Sequence, residues 1–206
     1  MHERLGQQLE RLDRLETAER AKCRYLAGDD RFLVLLLNTE YVVDIPNRQI
    51  IPAEDDYERV AHFCEQLCIL GYLTNATTVP PAKELVSAER LDAGQFFFRG
   101  THTTPTRKLE EAFGRAPALL YGACRDLNAG RCSYGDASVE FSILPRIPLT
   151  LVIWGADIEF PARASIILDR SAPAHLPLDV LWAALGLAVD KVVSAAHDNE
   201  ETRPAN

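Results

Sequence analysis

Residues 137–169, ASVEFSILPRIPLTLVIWGADIEFPARASIILD, hold three apolar runs parted by proline-containing turns. Val139, Phe141 and Ile143 alternate with Ser138, Glu140 and Ser142, a period of two that turns one face to a core and the other to water. The next run has no such alternation. Leu149, Leu151 and Ile153 face one way, and Thr150, Val152 and Trp154 the other, as in an interior strand covered on both sides. The third run ends at Asp169. Pro145, Pro148 and Pro161 mark the turns, because proline cannot donate to a central ladder. Connections this short predict antiparallel pairing, since a parallel return needs a dozen or more residues.

The expected fold is therefore α+β. Its antiparallel β-sheet combines a hairpin over 32–45 with strands at 138–144, 149–154 and 163–169, packed with several α-helices. The hairpin, centred on Asn38-Thr39-Glu40, either joins that sheet or backs a second small one, with 49–51 as a short third strand. Residues 3–27 read as one amphipathic helix striped by Leu5, Leu9, Leu12 and Leu15 and stopped at Gly28. A helix over 54–71 ends at Gly71. Ser87 caps a short turn, and two helices follow, from Pro105 to Gly114 and from Pro117 to about 128–130. The last helix starts near Pro177, with Leu178, Leu181, Trp182, Leu185, Val189, Val192 and Val193 at helical spacing. The chain divides into an N-terminal helix (1–30), one α+β domain (31–196) and a polar, disordered tail (197–206).

Composition narrows the function classes. With 30 acidic and 22 basic residues the net charge is −8, which argues against nucleic-acid or anionic-membrane surfaces, since both call for a basic face. No run approaches the roughly 18–20 apolar residues of a membrane helix, and the charged start of the chain lacks a signal core, so a soluble, cytoplasmic protein is expected. Five cysteines without a dense framework fit reduced thiols. Cys64 and Cys68 share a helix face, but no second ligand pair has zinc spacing, so no metal is expected. No phosphate loop, His-Glu-x-x-His pair, nucleophile elbow or iron–sulfur spacing is present, and no cofactor can be named from motifs.

Two groups of residues remain as candidate ligand contacts. Phe96, Phe97 and Phe98 cannot all face one core if extended, and Arg99 and His102 follow them, so Phe97, Arg99 and His102 are candidates. Arg146, Asp157, Glu159, Asp169 and His175 fall at the ends of the central strands, where loops commonly carry function. Asp157 and Glu159 could share a face as an acid/base pair, or form a solvated rim paired with Arg146 and Arg163.

Leu144-Pro-Arg-Ile-Pro-Leu149, Trp154-x-x-Asp157-x-Glu159-Phe-Pro-Ala162, Ile167-Leu-Asp169-x-Ser171-Ala172 and His175-Leu-Pro177 together resemble the domain-of-unknown-function family 3786. The resemblance extends over about residues 30–192 and leaves the N-terminal helix outside. It implies a domain spread through bacteria and archaea, many of them anaerobes. Some relatives carry a cysteine-rich iron–sulfur segment and occur in one-carbon or corrinoid settings. This chain lacks that segment.

The reading that follows is a non-catalytic domain binding a small-molecule ligand, such as a planar corrinoid, between the sheet and 96–102. Two alternatives stand beside it. One is an enzyme using Asp157, Glu159 and His175 as acid/base groups. The other is an assembly protein, with a homodimer through the N-terminal helix.

Overall fold

The computed structural model describes residues 1–53 and 59–201. The start of the expected 54–71 helix and the last five residues of the expected tail lie outside that description.

The late strands form as their patterning predicts. β7 (Ala137–Leu144), β8 (Ile147–Trp154) and β9 (Arg163–Asp169) make an antiparallel meander, with Val139 opposite Leu151 and Leu151 opposite Ile166. Two short strands extend it, giving the order β5-β9-β8-β7-β6, with β5 at Leu85–Ser87 and β6 at Gly130–Arg131. Leu149, Leu151 and Ile153 have no exposed surface, and Val152 on the other face is almost as deeply buried. β8 is thus the two-sided interior strand that its unbroken apolar run requires.

The early hairpin belongs to a second sheet. β1 (Arg24–Leu26), β2 (Arg31–Leu36), β3 (Thr39–Asp44) and β4 (Gln49–Pro52) pair in sequence order, all antiparallel. The turn is Leu37-Asn38, one residue earlier than the sequence suggests, and both residues have positive φ (50° and 59°). That is the backbone of a two-residue type I′ hairpin, normally an Asn-Gly job. Leu37 tolerates it because the turn is clamped: its N–H donates to Ile143 O of β7 at 2.8 Å, and its carbonyl accepts from Lys191 Nζ at 3.0 Å.

The N-terminal segment is two helices rather than one. α1 (Glu3–Glu10) ends and α2 (Arg14–Ala21) restarts because Asp13 is an N-cap, its carboxylate accepting the Glu16 N–H at 2.8 Å. Lys22 in the left-handed region stops α2, and β1 follows before Gly28 is reached. Leu9 and Ala21 are fully buried, and α1 and α2 both pack on α3 (Phe63–Asn75). The leucine stripe expected to serve a homodimer is therefore largely spent inside the fold, with only Leu15 well exposed.

α3 runs past Gly71. A Cβ there would lie 3.0 Å from Val180 Cγ1 and 3.3 Å from Cγ2, on α7 (Leu178–Glu201), so the glycine lets the two helices close up rather than ending one. Gly71→Leu is expected to cost about 2 kcal/mol by overpacking. In urea titrations, Val180→Ala should return part of that loss in the double variant, although it destabilises alone. α7 continues to Glu201, so residues 197–201 are helical and not part of a tail. Leu181, Leu185, Ala188, Val189 and Val192 are its fully buried stripe.

Residues 94–97 form a single helical turn, α4 (Gly94–Phe97), with Phe98 as its C-cap, so the three phenylalanines do not alternate on a strand. α5 (Thr106–Phe113) and α6 (Leu119–Ala123) pack on α7.

Candidate functional site

The eight residues singled out in the sequence fall into three separate groups. Asp169 (3% exposed) closes β9 and His175 (1% exposed) follows the short turn after it, while Arg146 stands in the β7–β8 turn and reaches the same neighbourhood. Their bonds are to the protein's own backbone and to the Ser171 hydroxyl. Asp169 accepts from Ala82 N (2.9 Å), Lys83 N (2.8 Å), Ser171 N (2.9 Å) and the Ser171 hydroxyl (2.5 Å). Burial pushes the Asp169 pKa up, but these donors together outweigh it and hold the carboxyl below its usual range. His175 Nδ1 accepts the Thr77 N–H at 3.4 Å. The two side chains thus tie the loop 77–84 to the end of β9 and the turn after it.

Arg146 Nε donates to Arg20 O at 2.5 Å, the open C-terminal end of α2, and Arg20 Nη1 does the same for Ala76 O at the end of α3. Guanidinium groups at helix C-termini satisfy carbonyls that the helix cannot, and complement its dipole. Tyr72, fully buried, donates to Ala21 O at 2.9 Å in the same junction. The cluster is a structural joint among α2, α3, the β7–β8 turn and the segment after β9.

Burial depresses the His175 pKa, Arg146 depresses it further, and Asp169 opposes them. The folded protein therefore favours the neutral ring. That contribution is complete above the ordinary value near 6.5, erodes as the pH falls below it, and is gone once the pH passes the lower folded value. The urea midpoint of the native chain should fall between pH 7 and pH 5, and His175→Gln should flatten that step.

Asp157 and Glu159 lie elsewhere. They sit after Trp154, at the far end of β8 from Arg146, seven residue steps or roughly 23 Å along the strand. Asp157 Oδ1 accepts from Glu159 N (2.8 Å) and Phe160 N (2.7 Å), so it shapes its own turn, and Glu159 is exposed. The acid/base reading needs Asp157, Glu159 and His175 at one substrate position, and the geometry separates them.

Phe97, Arg99 and His102 form a third location. The His102 ring stacks on Phe97 (centroids 4.7 Å) and meets Trp182 of α7 edge-on (5.2 Å), while Trp182 Nε1 donates to Thr103 O at 3.2 Å. Phe98 is buried, and Phe96 is 73% exposed with the Arg99 guanidinium 5.9 Å from its centroid. The segment leans on α7 and presents an aromatic step to solvent.

Burial pushes Cys23, Cys68 and Cys124 up to about 12, far from the thiolate form that a ligand or nucleophile needs. Among the described residues no group of three His, Cys, Asp or Glu side chains is placed to hold a metal ion.

A cleft that the sequence reading missed lies between the β2–β3 hairpin, the start of α3 and the middle of α7. It has a volume of about 510 Å³. Leu36, Leu37, Pro52 and Leu187 supply apolar wall; Tyr41, Glu65, Lys191 and Ser194 supply polar groups. Both Glu65 oxygens are engaged: Oε1 accepts from the Tyr41 hydroxyl and Arg59 Nη2, both at 2.7 Å, and Oε2 accepts the His62 N–H at 2.7 Å. Lys191 Nζ donates to Leu37 O and Thr39 Oγ1, both at 3.0 Å. Burial lowers the Lys191 pKa, with Glu65 and Asp126 acting in the opposite sense. The only sequence signal was Lys191 itself, a cation within the apolar helical repeat that ends in Val192 and Val193.

The architecture is thus a two-sheet α+β domain braced by a long C-terminal helix, with a polar-lipped cleft on the smaller sheet's side. The chain belongs to the family described as a domain of unknown function (DUF3786), whose model matches residues 13–191. The match begins at Asp13, so α2 lies within the family domain rather than outside it. No curated protein and no solved structure matches the chain. Among the described residues no helix is long and apolar enough to cross a membrane.

Proposed function

We propose that this domain is a small-molecule-binding module whose ligand occupies the cleft between the β2–β3 hairpin, α3 and α7. The observation that carries the reading is convergence. Side chains from three separate elements line one metabolite-sized concavity, in which an apolar wall of Leu36, Leu37, Pro52 and Leu187 stands beside a larger set of polar and charged groups. The strained Leu37-Asn38 turn at its lip is consistent with a site, because such backbone is kept where the surroundings over-determine it. The site differs from the one read in the sequence, and the role is the same: binding without catalysis.

A ¹⁵N-labelled chain titrated with a metabolite library tests this. Shifts clustered on Thr39, Tyr41, Glu65 and Lys191 are expected. A library that leaves those amides unmoved, or moves only others, overturns the reading.

The planar-cofactor reading has its own support in the stacked Phe97–His102 pair and the exposed ring of Phe96. A corrinoid bound there would change its visible spectrum on titration with hydroxocobalamin. An unchanged spectrum disposes of it.

A further inference from the structure

Lys191 and Glu65 face the same cleft and are treated oppositely by the fold. Glu65, the anion, has every oxygen engaged by protein donors, one of them the charged Arg59. Lys191, the cation, is bonded only to a carbonyl and a hydroxyl. No carboxylate among the described residues comes within ion-pair distance of its Nζ. Asp190, its neighbour on α7, also lines the cleft and is paired with Lys108 of α5. An ammonium has three N–H donors, so one is left over after Leu37 and Thr39.

A half-buried ammonium whose direct bonds are all to neutral oxygens has lost water without gaining a directly paired counter-ion, Glu65 and Asp126 acting on it only from a distance, which makes it a partner for an anion entering the cleft. Ser194, one helical turn on from Lys191, also lines the cleft. Its hydroxyl stands on the same side of the helix and adds a second donor. Leu36, Leu37, Pro52 and Leu187 offer nothing to a charge and accept hydrocarbon.

Resting on the cleft reading above, we infer that the ligand carries a single anionic head, a carboxylate or phosphate monoester, anchored by the third N–H of Lys191 and by Ser194, with an apolar body against the leucine wall. Amines are disfavoured, because the described acids of the cleft, Glu65 and Asp190, already have cationic partners in Arg59 and Lys108, whereas Lys191 has no ion pair among the described residues.

The test uses four probes that share one tail: hexanoate, hexyl phosphate, hexanamide and hexylammonium. Each is titrated into the ¹⁵N-labelled full chain, following the Leu37, Thr39 and Lys191 amides. Hexanoate or hexyl phosphate should bind at least tenfold tighter than hexanamide, and whichever of the two is tighter identifies the head. Lys191→Met should abolish that preference. Lys191→Gln, which can still donate to Leu37 and Thr39, should do the same if the Met variant does not fold. Equal binding of amide and anion, or tighter binding of the ammonium, at these same amides overturns the anionic head while leaving the cleft as a ligand site. If no probe and no library compound moves these amides, both readings fall.

Discussion

Asp169→Ala is expected to destabilise the protein by about 3 kcal/mol, because it orphans donors that have no second acceptor in the fold. Four bonds converge on this one carboxylate, two from the loop at Ala82 and Lys83 and two from Ser171. The loop amides can recruit water once the carboxylate is gone, but the buried Ser171 cannot, which keeps the figure below the sum of four charged hydrogen bonds. For a chain of this size the change corresponds to a fall in Tm of roughly 6–12 °C. Asp169→Asn keeps one acceptor oxygen and should lose about half as much. The sign with pH follows from the lowered pKa. The stabilisation is present at and above the ordinary value of 3.8 and is lost as the pH drops through the folded value. Urea titrations from pH 5 down to pH 2.5 should show the native chain losing this contribution and Asp169→Asn lacking that step. A native-like midpoint for Asp169→Ala at pH 7 contradicts the assignment of Asp169 to structure.

Tyr72→Ala should cost more, about 4 kcal/mol, since it removes a fully buried ring from the meeting of α2 and α3 and leaves Ala21 O without its donor. Tyr72→Phe separates the two parts. It keeps the ring and deletes only the hydroxyl, and about 1 kcal/mol is expected. Urea unfolding of the pair measures how much of the joint is packing and how much is hydrogen bonding. A Phe variant as unstable as the Ala variant would mean that the hydroxyl, and not the ring, holds the joint.

The fold was legible where one local pattern had one physical outcome. Val139, Phe141 and Ile143 alternate and become a strand with a wet face; the 149–154 run is apolar on both sides and becomes the buried middle strand. The helical repeat from Leu181 to Val192 becomes the bracing helix. Legibility failed where the outcome depended on a partner distant in sequence. Whether the hairpin joined the late strands or stood apart depended on Leu37 meeting Ile143, more than a hundred residues on. Gly71 reads as a stop because a glycine in a helix is costly, yet its use is the approach of Val180. Asp13 inside a leucine stripe was a visible cap signal, and weighting it would have split the N-terminal helix correctly.

The candidate site shows the same division. Polar residues at strand ends drew attention because loops carry function, but Arg146, Asp169 and His175 face backbone groups that only the folded chain brings near. The cleft is made from Leu37, Tyr41, Glu65, Lys191 and Ser194, whose separations along the chain run to more than 150 residues. None forms a motif with its neighbours. A lysine in an apolar repeat was the one local irregularity, and taken singly it also fits a side chain snorkelling to solvent.

The division of labour between the two polar groups is measured most directly by the hexanoate dissociation constants of the native chain, Asp169→Asn and Lys191→Gln at pH 7. The account predicts that Asp169→Asn binds within twofold of the native chain despite its lower stability, and that Lys191→Gln binds at least tenfold more weakly. Binding lost in Asp169→Asn and kept in Lys191→Gln would contradict it.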